Sequence, residues 1–139
     1  ENIERGECIL VFPNKLKCDY KDKNQKELII NKKMMAITQK RYGKTLFYPL
    51  SKSTFINILS KDELIKIINE SDTFIDDYFN IVFMNEVNSK TLIRFDKENF
   101  LLAGWISSDQ YNNQVTFDIE INSINQIIDK KIFTLPSRN

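Results

Sequence analysis

Short runs rich in Ile, Val, Phe and Tyr recur along the chain between polar clusters, the pattern of an antiparallel, mainly β protein. The pattern predicts strands over Arg5 to Phe12, Lys15 to Lys21, Glu27 to Asn31, Met34 to Lys40 and Thr45 to Tyr48. After a helical interruption, further strands are predicted over Asp72 to Asp76, Ile81 to Asn85, Thr91 to Asp96, Phe100 to Ser107, Gln114 to Ile121 and Ile132 to Leu135. Leu16, Cys18 and Tyr20 alternate with Lys15, Lys17 and Asp19, and Val115, Phe117, Ile119 and Ile121 with Thr116, Asp118 and Glu120. Successive strand side chains project to opposite faces, so each of these strands has one dry face and one wet face. Cys8 to Phe12 and Phe100 to Ile106 are apolar on both sides, which predicts cover on both.

The interruption runs from Ser53 to Asn69. Ser53 or Thr54 can cap a short helix carrying Phe55, Ile56, Ile58 and Leu59. Ser60, with Glu63 three residues on as in a capping box, can start a second, in which Leu64, Ile65, Ile67 and Ile68 form one apolar stripe. Such helices either plug an ordinary core or, through Phe55, Ile58, Leu64 and Ile68, roof a hollow.

A length of 139 residues suits a single domain, expected here over residues 1–139. Twenty basic and nineteen acidic residues are interleaved, as in KDKNQKE and SKDELIK, which argues against nucleic-acid binding. No apolar run approaches the roughly 20 residues that span a bilayer. Only three glycines occur, and no Gly-rich phosphate loop can be drawn. Histidine is absent, which removes the commonest general base and most zinc sites. Asp62-Glu63 and Asp76-Asp77 read as solvated edges, not as an opposed acid/base pair. The expectation is a protein that is not an enzyme and needs no cofactor or metal.

The two cysteines stand in GECILVFPNKLKCDYK, ten residues apart, a spacing that suits no metal or redox motif. A hairpin turning around Phe12 to Asn14 sets Val11 opposite Lys15 and Cys8 opposite Cys18, within the distance a disulfide spans. Two reduced cysteines packed as small apolar residues satisfy the same pattern. A bridge would imply a periplasmic or extracellular compartment.

The residues resemble the periplasmic carriers of outer-membrane lipoproteins, the LolA family. FPNKLKCDY supplies Pro13, Leu16, Lys17 and Tyr20 where that family has P-x-x-[FL]-[RK]-W-x-Y; ELIINKKMMAITQK resembles its strand-turn-strand and PLSKSTFINIL its Thr-Pro-Leu helix start. SSDQYNNQVTFDI and KIFTLPSRN resemble its late turn and closing strand. The departures are specific. Phe12 stands where the family has the arginine that latches its helical lid, Cys18 replaces the tryptophan, Thr54 the proline, Asn31-Lys32 an Asp-Gly turn and Asn112-Asn113 a glycine turn. The family also has an amphipathic helix and a strand before the region matching Arg5 to Phe12. The resemblance therefore implies a chain lacking that segment, as a piece of a longer protein or as a trimmed version.

What the resemblance implies is an incomplete, half-open antiparallel β-barrel whose concave apolar face is covered by helices. Such a protein is a soluble periplasmic chaperone, exported by a signal peptide not in this sequence and expected to be a monomer. It would take acylated lipoproteins from an inner-membrane lipoprotein-releasing ABC transporter to an outer-membrane acceptor lipoprotein. The expected acyl-chain wall is Leu10, Phe12, Leu16, Cys18, Tyr20, Met35, Phe55, Leu59, Phe83 and Phe117, with Met34 beside it and Cys8 joined to Cys18. Leu16→Glu is expected to abolish acyl binding and leave the fold largely intact. A lipoprotein-sensing or protein-interaction domain on the same scaffold is the alternative. A sugar-binding module ranks last, because Tyr42, Tyr48, Tyr78 and Tyr111 form no row.

Overall fold

The structure, a computed structural model, describes residues 3–52, 59–84, 90–108 and 113–137. The first predicted helix, with Ser53, Thr54, Phe55, Ile56 and Ile58, lies outside the described residues, as do Asn85, Tyr111 and Asn112. The protein is mainly β, with two antiparallel five-stranded sheets. It divides into two compact units, Glu1–Leu64 with Ile128–Asn139, and Ile65–Ile127.

The first unit holds the strands β1 (Gly6–Val11), β2 (Lys15–Tyr20), β3 (Lys26–Asn31), β4 (Met34–Gln39) and β5 (Lys44–Pro49), hydrogen-bonded in chain order. Chain order is what short polar turns dictate, since each strand can fold back only onto its predecessor. The first turn has a cis Phe12–Pro13 peptide and Asn14 at φ 65°, and it pairs Val11 with Lys15. Between Asn31 and Met34 the turn is two residues, with Lys32 at φ 58° where the resembling family has glycine.

Pairing register assigns every side chain in this sheet to a face. Cys8, Cys18, Leu28, Ile37 and Leu46 form one row across the five strands, and Leu10, Leu16, Ile30, Met35 and Tyr48 the next. Leu16, Cys18, Leu28, Ile30 and Met35 are buried in one cluster with Leu50 and Leu59, and Tyr20 and Ile37 pack against it. The opposite face carries Lys17, Ile29, Ala36 and Phe47 in one row, and Ile29 and Ala36 are buried too. This face is therefore not uniformly wet. A 3-10 turn at Lys130–Phe133 lies against β2 and β3, and the Asn31 side chain donates to the Phe133 carbonyl at 3.0 Å.

That turn replaces the strand expected over Ile132 to Leu135. The Asp129 carboxylate accepts the Lys131 N–H at 3.0 Å and caps the turn, and Phe133 within it is fully buried. A second difference concerns β1, which is exposed at nearly every position despite its apolar residues. Among the described residues it is an edge strand, paired on one side only.

The helix α1 (Lys61–Glu70) starts as expected, with Ser60 Oγ accepting the Glu63 N–H at 3.4 Å and the Ser60 carbonyl accepting the Leu64 N–H at 3.0 Å. Its stripe is only partly used: Ile67 is buried, Leu64 half-buried, and Ile65 and Ile68 are exposed.

In the second unit β6 (Asp72–Ile75), β7 (Tyr78–Met84), β8 (Lys90–Asp96), β9 (Leu102–Ser108) and β10 (Gln114–Asp118) again pair in chain order. One face aligns Ile81, Ile93, Trp105 and Phe117, and Trp105 stacks on Phe117 with ring centroids 4.5 Å apart. Phe83, Thr91 and Ser107 form the adjoining row. β10 ends three residues before the expected Ile121, which is exposed.

Two turns of this sheet are held by aspartates. The Asp76 carboxylate accepts the Tyr78 N–H and the Asn80 side-chain amide, each at 2.8 Å, and Asp96 accepts the Glu98 and Asn99 N–H groups at 2.8 and 3.1 Å. These bonds favour the ionised form and hold both carboxyls below the usual aspartate range, those from the Tyr78 and Glu98 backbones acting most strongly. A folded-state pKa below the unfolded one means that the contribution is present above the unfolded value and is lost as pH falls through the folded one. NMR titration should find both carboxyls ionising below about 4, the ordinary aspartate value. Ordinary titration midpoints would contradict the turn geometry.

Candidate functional site

Of the ten residues expected to line an acyl site, eight fall into three groups. Leu16, Cys18, Met35 and Leu59 come together in the buried cluster of the first sheet, where Leu59 is anchored by the Asn14 N–H donating to its carbonyl at 3.0 Å. Leu10 and Phe12, on β1 and the turn after it, are 45% and 47% exposed. Phe83 and Phe117 belong to the second sheet and the second unit, both half-buried. Phe55 lies outside the described residues.

The register separates two residues expected side by side. Met35 pairs with Ile30 and Tyr48 on the clustered face, whereas Met34 pairs with Asn31 and Pro49 on the other. Adjacent strand residues cannot share a face, because the side-chain period is two.

Tyr20 marks where the apolar face ends. Lys26 Nζ lies 4.4 Å from the centre of its ring and also contacts the Glu4 carboxylate. Burial pushes the Tyr20 phenol up, and the Glu4 charge adds to this. Tyr20, Lys26, Gln39 and Lys44 thus form a polar row at one end of an otherwise apolar surface. On the opposite face Lys17 and Lys40 bridge Asp19 and Glu27, with Lys40 Nζ 2.9 Å from Glu27. The hydrogen bond to Glu27 raises the Lys40 pKa above its ordinary value.

Sequence reasoning missed the other lip of this surface. Leu46 and Tyr48 on β5 stand in the same rows as Cys18 and Leu16, and they are 54% and 39% exposed. The signal was present as alternation in Thr45, Leu46, Phe47 and Tyr48, but all four suit a strand, so only pairing with β4 tells the two faces apart. Leu28, Ile30 and Ile37 were missed for the same reason. The lone tryptophan, Trp105, was missed as the buried centre of the second sheet's aromatic face.

The expected bridge is present: Cys8 and Cys18 pair directly, are disulfide-bonded, and have Cα atoms 4.1 Å apart. Among the described residues no group of three or more His, Cys, Asp or Glu side chains could hold a metal ion. The described helix is too short and polar to cross a membrane. What remains is an apolar surface with a buried floor, two exposed lips and a polar end. It can hold a hydrocarbon by removing it from water, with no directional bond required. No protein-family model matches the chain, and no curated protein matches it.

Proposed function

We propose that the chain is a periplasmic lipoprotein-carrier domain of LolA type, binding the acyl chains of lipoproteins on the apolar face of its first sheet. One observation carries this reading. The face stays apolar across all five strands, and its outer residues Leu10, Leu46 and Tyr48 remain exposed beside a buried floor, with Phe12 exposed in the turn after β1. Each methylene taken from water contributes about 0.8 kcal/mol, so an apolar strip suffices to hold an acyl chain. The half-open barrel, its helical roof, the organisation of residues 1–139 as one carrier domain and the transporter and acceptor partners belong to the same proposal. Support from the chain itself is the series of motifs from Pro13 to Pro136 and the Cys8–Cys18 bridge, which suits an oxidising compartment. The proposal gives Leu16, Cys18 and Leu59 the role of floor and Leu10, Phe12, Leu46 and Tyr48 that of contact surface.

A fluorescent fatty acid is expected to bind the purified chain saturably, one molecule per protein. Leu10→Glu should abolish that binding with little change in the unfolding midpoint, because residue 10 is on an exposed edge and a charge there costs the fold little. Absence of saturable binding by the folded protein would favour the alternative, a lipoprotein-sensing or protein-interaction domain.

A further inference from the structure

We propose that the Cys8–Cys18 disulfide is a redox-operated clasp: its reduction frees β1 from the sheet and so discharges the bound acyl chain. The inference rests on the reading above for its consequence, and on the geometry of β1 for its mechanism.

The strand is held weakly by everything except the bridge. Among the described residues it pairs with β2 alone, and all its residues except Val11 are exposed. The Lys21 N–H donates to the Arg5 carbonyl at 2.7 Å, which makes Arg5–Lys21 a hydrogen-bonded pair. Alternation along the ladder then gives Glu7, Ile9 and Val11 the inward N–H groups, and leaves Cys8–Cys18 a non-hydrogen-bonded pair, in keeping with its short 4.1 Å Cα separation. At the centre of β1 the covalent link therefore stands where the ladder has no bond of its own. An edge strand with so little buried surface belongs to the low-stability end of local opening.

The two sulfurs differ in their surroundings. Cys8 is an exposed residue of the edge strand, while Cys18 is buried in the apolar cluster. A dithiol reductant would attack Cys8 Sγ: a new S–S bond forms to the reductant, the protein S–S bond breaks, and Cys18 leaves as the thiolate and takes up a proton. The second thiol of the reductant then attacks the mixed disulfide, releasing Cys8 as a thiol and the reductant as its own disulfide. Two electrons and two protons reach the protein. Opening of β1 removes Leu10 from the apolar strip and uncovers the edge of β2 beside the floor.

The test uses the full chain, oxidised and after reduction by dithiothreitol, with the redox state read by mass. Hydrogen exchange reports on β1, and binding of a fluorescent fatty acid reports on the site. Reduction is expected to raise the exchange rates of the Glu7, Ile9 and Val11 amides at least about tenfold while those of β3 and β4 stay protected, and to weaken acyl binding by a similar factor. Cys8→Ser should behave as the reduced protein and be insensitive to reductant. Unchanged exchange in β1 after complete reduction overturns the clasp, as does acyl binding of equal strength in both states. If the oxidised protein binds no acyl probe, the carrier reading fails, and selective deprotection of β1 still decides whether the bridge is a clasp.

Discussion

Gly104→Ala is expected to disrupt the second sheet. Gly104 has φ 149°, in the region that side chains rarely enter, and a Cβ placed there would lie 2.0 Å from the Phe117 carbonyl oxygen. The obstacle is backbone, held by pairing of Gly104 with Asp118 and of Trp105 with Phe117, so no side chain can rotate away. Relief requires β10 to separate from β9, which also breaks the Trp105–Phe117 stack. Backbone strain of this kind costs on the order of 1–3 kcal/mol, and the lost packing adds to it, so the total should reach about 3 kcal/mol or more. Urea unfolding followed by Trp105 fluorescence measures this directly, since the chain has one tryptophan. An alanine variant with the midpoint of the parent would mean that β9 and β10 do not approach as described.

Leu16→Glu should unfold the first sheet, against the expectation that it would spare the fold. Leu16 is 7% exposed and packed among Leu28, Ile30, Met35, Leu50 and Leu59, with no cation in that cluster. An ionised carboxylate there would lose its hydration with no partner in exchange, and burial of this depth raises a glutamate pKa by up to about 3–5 units above its ordinary value of about 4.3, so that taking up a proton to stay buried costs roughly 3–4 kcal/mol at pH 7. The folded-state pKa of the introduced group lies above its unfolded value, so the penalty is full well above that raised pKa and shrinks as the group protonates. Denaturant titrations at pH 7 and pH 4, each against the parent protein, should therefore find a larger deficit at pH 7. A stable variant at pH 7 would mean that Leu16 faces an accessible hollow, which would strengthen the carrier reading at the expense of the packed floor. Leu10→Glu carries no such penalty, which is why it is the better probe of binding.

Much of the architecture was legible because it is local. The hairpin around Phe12 to Asn14 is specified by Pro-Asn between two apolar runs, and counting outward from it pairs Cys8 with Cys18 and Val11 with Lys15, as found. Period-two alternation assigned Leu16, Cys18 and Tyr20 to one face, and Ser60 with Glu63 placed the start of α1. Each inference needs only a few neighbouring residues and a fixed geometric period.

Burial was not legible in this way. The sequence by itself determined the mainly β class, the first hairpin, the facing cysteines and which residues of a given strand share a side. Only the tertiary structure decided that the apolar strand β1 is an exposed edge, that Met35 joins the cluster while Met34 does not, and that Phe133 plugs the opposite face as part of a capped turn. The physical reason is that alternation is a property of one strand's backbone, whereas burial depends on what distant segments bring to each face: Asn31 meets Phe133 across 102 residues of chain.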